Sequence, residues 1–335
     1  MGIEFFHPPA LKNQNGRERA IGVEFEFTGL PLPDVAALIC ELYGGETEKI
    51  SAFKYRIKNT TVGPFTLELD FMLLREKKYE AILKRVGIDL SDIKKREALE
   101  DKLNDLASSV VPFEIITAPV PFSRLYMLEY LVERMREYKA EGTGASWKHA
   151  FGLHLNPEAP RLTARSILSH LKAFLLLEPW IRQDARINLT RRVTPYIDEF
   201  EDRYRHLILS EDYWPDMERI IVDYATYNPT RNRPLDLLPI FKHLNRELVD
   251  ELIRDNRTTA RPAYHYRLPN CKIDEPGWSI AEEWNRWILI ERLASEPDSI
   301  AQLCRDYQRM KKAKLIRFDH NWIIHIHRWV YNVIT

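Results

Sequence analysis

The sequence predicts an α+β protein with a mainly antiparallel sheet and helices segregated over one face and the C-terminal half. Three observations lead there. Apolar residues alternate with a period of two in several short segments of roughly the first 160 residues, and helical spacing dominates the rest of the chain. The polar positions of the alternating segments are mostly carboxylates, with one histidine.

Ala20 to Thr28 places Val23, Phe25 and Phe27 on one face and Gly22, Glu24 and Glu26 on the other, which is a strand. Asp34 is expected to cap a helix over 35–43, and Lys54 to Lys58 and Phe65 to Phe71 read as the next strands. Tyr79, Ile82, Leu83 and Val86 follow helical spacing, and Leu99, Leu103 and Leu106 mark a second helix after Gly87. About 76–108 therefore reads as a helical insertion between strands. Phe113 to Thr117 is a short strand closed by Pro119 and Pro121, with a helix to about Lys139. Ala150 to Asn156 returns to strand and stops at Pro157.

Beyond that point Ile167, Leu171, Phe174 and Leu175 mark one helix, and Phe200, Tyr204, Leu207 and Ile208 another. Ile280, Trp284, Trp287 and Ile288 mark a third, and only about 263–268 reads as extended. Residues 1–160 are thus the sheet-forming part, and 161–335 a mostly helical part completing the same domain.

The 335 residues suffice for a substantial core, and 45% hydrophobic with 29% charged residues is the balance of an ordered globular chain. Basic and acidic residues number 49 each, so the broad positive field of a non-specific nucleic-acid binder is missing. Three cysteines without a CxxC pair support neither a disulfide framework nor a thiolate zinc site. No leader pattern and no run of ~18 apolar residues is present. The expectation is a cytoplasmic protein with small-molecule partners, no nucleic acid and no membrane.

The strand-like segments carry the chemistry. Glu24 with Glu26, Glu68 with Asp70, Glu114, and His154 with Asn156 each project from the polar face of a strand. A single such pair is most often a solvated sheet face. Five carboxylates and an imidazole on one surface repel one another unless cations neutralise them. Oxygen-rich ligation suits Mg2+ or Mn2+, and such ions keep positions open for phosphate oxygens.

The order GVEFEF, TLELD, FEIITAP and GLHLNP, followed late by AYHYRLPNC, resembles the amidoligase family of the glutamine synthetase and glutamate–cysteine ligase superfamily. The resemblance implies a glutamine-synthetase-like sheet with a metal-lined concave face. It further implies an ATP-dependent carboxylate–amine ligase acting on small-molecule or peptide substrates through an acyl phosphate. Glu24, Glu26, Glu68, Asp70, Glu114 and His154 match its metal-binding positions, and Arg267 its phosphate- or substrate-binding arginine. His265 stands where the family often has glutamate, and Asn156 where a second histidine is expected. Asn156 still offers a weaker oxygen ligand, and His265 is a candidate catalytic group beside Arg267.

Arg186 and Arg191, within the basic stretch Arg182 to Arg192, are candidates for holding nucleotide phosphates, against the commoner reading of a solvated helix face. Gly142 and Gly144 lack the GK[ST] of a P-loop and suggest a mobile loop. His320, His325 and His327 read as the polar side of a terminal helix, and Cys40 and Cys304 as small core residues. Two other readings stay open: a metal-dependent hydrolase of amides or phosphoesters, and a non-catalytic binding protein of the same fold.

Overall fold

The alternating segments form strands because each can bury one face, and the computed structural model describes residues 3–51, 53–69, 113–142, 151–187, 198–254, 257–313 and 317–334. Among these are ten α-helices and a mainly antiparallel open sheet. The chain divides into two compact units, one of Ile21–His154 with Asn270–Ile280, the other of Met1–Ala20, Leu155–Pro269 and Ala281–Thr335.

In the first unit the strands are β1 (Ala20–Phe27), β2 (Glu46–Ser51), β3 (Lys54–Lys58), β4 (Phe65–Leu69), β5 (Phe113–Thr117), β6 (Val120–Pro121) and the start of β7 (Leu153–Pro157). Their order is β2-β3-β4-β5-β1-β7, with β6 also on β1. Cross-strand neighbours Tyr55, Leu67, Ile115 and Phe25 form one row of buried side chains. Helix α1 (Leu32–Tyr43) packs on β3 and β4, where Tyr43 stacks on Phe65 with centroids 5.7 Å apart. Helix α2 (Leu128–Glu137) follows a 3-10 turn and packs on α1.

Two expectations change here. Helix α1 starts at Leu32 with Pro31 as its N-cap, so Asp34 lies inside the first turn and caps nothing. Proline fits the first helical turn, where its missing N–H has no intrahelical partner to lose. Strand β2, ETEKIS, went unread because it is exposed almost throughout and shows no apolar alternation. The helical insertion at about 76–108 lies outside the described residues, as does Gly144 of the expected mobile loop.

In the second unit β7 continues as Leu155–Pro157 and pairs through Leu155 with Tyr266 of β9 (His265–Tyr266). On the other side of β9 lies β8 (Leu235–Asp236), with Asp236 opposite His265. Helix α3 (Ala164–Asp184) is buried nearly all round, which is why its sequence reads as apolar beyond a single stripe. Its N-cap Thr163 accepts from the Ser166 N–H. Around α3 pack α4 (Asp202–Ile208), α5 (Met217–Tyr227), α9 (Pro297–Lys312) and α10 (Phe318–Ile334). Helices α6 (Leu238–Leu244), α7 (Arg246–Leu252) and α8 (Ile280–Ala294) complete the set. Among the described residues, no helix is long and apolar enough to cross a membrane.

The entry to β1 is held by a buried ion pair. Arg19 is fully buried, and its Nη1 and Nη2 donate to the two carboxylate oxygens of Glu291 at 2.8 and 2.6 Å. Its remaining donors reach the Ala10 and Glu158 carbonyls, and Trp287 Nε1 donates to Glu291 as well. Arg19→Met would leave the Glu291 charge buried and uncompensated. Urea denaturation should show a loss of about 3–5 kcal/mol; a change below about 1 kcal/mol would mean the pair is not structural.

Candidate functional site

The strand register lines up the acidic residues of the first unit. Glu26 of β1 stands opposite Glu114 of β5, Glu114 opposite Glu68 of β4, and Glu68 opposite Lys54 of β3. Like charges directly opposite in a sheet are destabilising, so the row needs positive partners. At its outer end the protein supplies one, with Lys54 Nζ 2.5 Å from Glu68 Oε2. Those side chains are 44% and 27% exposed, so the pair is a surface contact of modest weight. Lys54 was invisible as a site residue because only the pairing of β3 with β4 brings it into the row.

At the inner end the environment is different. The Glu24, Glu26 and His154 side chains are only 13%, 9% and 7% exposed. That excludes the solvated sheet face that a lone E-x-E strand usually signifies. His154 Nδ1 lies 2.9 Å from Glu24 Oε2, and its Nε2 lies 3.3 Å from Glu26 Oε1. The Gly152 N–H donates to Glu26 Oε2 at 2.5 Å, while the Glu26 backbone N–H donates to the Gly152 carbonyl. One imidazole thus meets two carboxylates, each on the polar side of β1.

The second unit gathers groups of opposite character. Arg261 Nη2 donates to Asn156 Oδ1 at 3.2 Å and lies 2.6 Å from His265 Nδ1. Arg267 Nη1 is 3.4 Å from His265 Nε2. His265, Arg267 and Asn156 are all buried. Asp236, opposite His265, accepts the Leu238 N–H, and burial pushes its carboxyl up to about 6, against the opposing pull of Leu238, Arg267, Arg231 and Arg261. Arg261 and Asp236 carried no motif; only the pairing of β7, β9 and β8 reveals them.

Of the other candidates, Arg186 is exposed just beyond α3 with φ 49°, while Asp70 and Arg191 lie outside the described residues. Arg182, from the same basic stretch, lines a cavity of about 480 Å³ with Glu178, Asp202, Arg205 and Lys311. Its cations are matched, Arg182 and Arg205 by Glu178 and Lys311 by Asp202, so it offers no surplus positive charge. The terminal histidines lie on α10, where His320 and His327 are exposed and His325 meets Asp306 at 3.2 Å. Cys271 and Cys304 are buried, whereas Cys40 is only half-buried, its Sγ 3.3 Å from the Thr47 hydroxyl.

The raised carboxyl of Asp236 has a signed consequence for stability. The folded protein keeps this proton to about pH 6, whereas the unfolded chain releases it near 4. The contribution is therefore complete below pH about 4 and is lost as pH rises through about 6, on the order of 3 kcal/mol in all. Asp236→Asn should flatten this part of the stability–pH curve. An unchanged slope in the variant, read from denaturant midpoints, would assign the effect elsewhere.

The family model described as "Putative amidoligase enzyme" matches residues 17–289. No curated protein and no solved structure matches the chain.

Proposed function

The chain belongs to the amidoligase family, and from that premise we propose that it is an ATP-dependent ligase joining a carboxylate to an amine. The observation that carries this reading is the imidazole of His154 between the nearly buried carboxylates of Glu24 and Glu26. Carboxylate oxygens with one imidazole nitrogen, and no thiolate among them, form a donor set that fits Mg2+ or Mn2+ better than a soft metal. Glu24, Glu26 and His154 would hold such an ion, with Glu114 and Glu68 extending the row, and Asp70 and Asn156 as further family positions. A bound divalent ion would offset the negative charge of ATP phosphates beside these acidic residues.

In this reading the substrate carboxylate is activated as an acyl phosphate by phosphoryl transfer from ATP, and the amine displaces phosphate to leave an amide. The buried arginine Arg267 serves phosphate or the substrate carboxylate, because a guanidinium fork matches either group. His265 acts beside it. Arg186 and Arg191 remain candidates for nucleotide phosphates through the same chemistry. A glutamine-synthetase-like sheet with a metal-lined face is the architecture that accompanies this reading.

The test is incubation with ATP, Mg2+ and pooled amino acids or small peptides, following phosphate release and new amide masses. Amide products that require ATP support the ligase; turnover without nucleotide points to a hydrolase, and no ATP consumption with any acceptor overturns the reading. Glu24→Gln keeps the shape of the side chain and removes its charge. Turnover should fall by about 100-fold or more with the melting temperature nearly unchanged. A variant that unfolds would instead mark Glu24 as structural.

A further inference from the structure

Ahead of β1 the chain meets helix α8 through side chains that grip its backbone. Asn285 Oδ1 accepts the Phe6 backbone N–H at 2.7 Å, and Asn285 Nδ2 donates to the Glu4 carbonyl at 2.8 Å. Trp284 Nε1 donates to the Phe6 carbonyl at 2.8 Å. One carboxamide and one indole thus satisfy both main-chain groups of Phe6 and a third at Glu4. The Arg292 guanidinium lies over the Phe6 ring, 4.9 Å from its centroid. Arg292 is itself oriented by a hydrogen bond from Nη1 to the Val333 carbonyl at the end of α10. All of these residues belong to the second unit.

Proteins read extended peptides in this way, with main-chain hydrogen bonds for attraction and a side-chain contact for selectivity. Because the three bonds go to backbone atoms, they ask of the occupant only an extended course and an N–H at the position of Phe6. The ring under Arg292 asks for an aromatic residue. Residues 4–6 meet both demands without joining the sheet. Glu4 is exposed and Ile3 is 42% exposed, so the segment lies on the surface. It is joined through His7, Pro8 and Pro9 to Ala10, whose carbonyl is held by Arg19 Nη1 at 2.9 Å. His7 and Pro8 each precede a proline, which biases both toward extended backbone. Release from α8 breaks the contacts of residues 4–6 and leaves the Arg19 anchor of β1 in place.

We propose that Trp284, Asn285 and Arg292 form a recognition site for an extended peptide segment with an aromatic residue, and that its partner is residues 4–6 of a second copy of this chain. Every copy carries one such segment and one such site, so reciprocal exchange fills both sites and closes at two copies. A peptide from another source fills one site and gains nothing from the second. In dilute solution the tether favours each copy's own segment, because a short linker holds it at a roughly millimolar effective concentration. Exchange takes over where that segment is disabled or where copies are crowded together.

The test uses full-length chains, each disabled in one half. Phe6→Pro removes the N–H and the ring and keeps the site, whereas Asn285→Ala removes the carboxamide and keeps the segment. In 15N-labelled protein the Trp284 indole N–H signal, assigned by its loss in Trp284→Phe, should move in Phe6→Pro as its carbonyl acceptor leaves. Adding the unlabelled Asn285→Ala copy to labelled Phe6→Pro should return the signal to its wild-type position, with a saturable dependence on concentration. Adding unlabelled Phe6→Pro should not. A synthetic acetyl-Ile-Glu-Phe-Phe-His-Pro-Pro-amide should also return it, and the same peptide N-methylated at its second phenylalanine should bind about tenfold more weakly, having lost one hydrogen bond.

Return of the signal by the peptide but not by the second copy would overturn the assignment of the partner, and return by neither would overturn the site. Equal binding of the N-methylated peptide would overturn recognition through the main chain. If Phe6→Pro does not fold, sedimentation of the wild-type chain decides. A two-copy species that grows with concentration and is lost in Asn285→Ala supports the exchange, and a monomer at every concentration overturns it. None of these readouts involves nucleotide or turnover, so their failure leaves ATP-dependent amide formation to be judged by its own assay.

Discussion

Carboxylates held nearly out of water are the constraint around which the first unit is arranged. Glu24 and Glu26 lose most of their hydration on β1, and an unpaired charge in that position costs several kcal/mol. The fold answers with a ring nitrogen of His154 at each carboxylate and with the Gly152 N–H at Glu26. Those partners exist because β7 and the residue before it lie beside β1. The apolar row of Tyr55, Leu67, Ile115 and Phe25 on the opposite face supplies the hydrophobic stabilisation that lets the polar face be unfavourable by itself.

The second unit solves the reverse problem. Arg261 and Arg267 bring donors to His265, and Arg19 is buried outright. Arg19 finds a bidentate carboxylate in Glu291 and carbonyls for its other hydrogens, which is the complete satisfaction a buried guanidinium needs. Around His265 the Arg261 and Arg267 guanidiniums both approach one imidazole.

Much of this was legible in the chain. The period-2 alternation of β1, β4 and β5 named Glu24, Glu26, Glu68 and Glu114 as one-face residues, since side chains two apart on a strand must share a face. The helical half was equally plain in the spacing around Ile167 and Trp284. Strand β2 was not, because an exposed edge strand has no apolar period to read. The N-terminus of α1 was misplaced since proline inside a first turn competes with a nearby aspartate as the apparent start. Lys54, Arg261 and Asp236 left no local signal at all.

By itself, then, the sequence determined which residues are polar on which strand, the α+β class, and the family to which the chain belongs. Those follow from local periodicity and motif order, which need no knowledge of neighbours in space. Only the tertiary structure decided how the acidic pairs are balanced: Glu68 against a lysine, and Glu24 and Glu26 against one imidazole. Charge balance is a property of pairs far apart in the chain. Strand register sets it, and register becomes visible only when the strands are side by side.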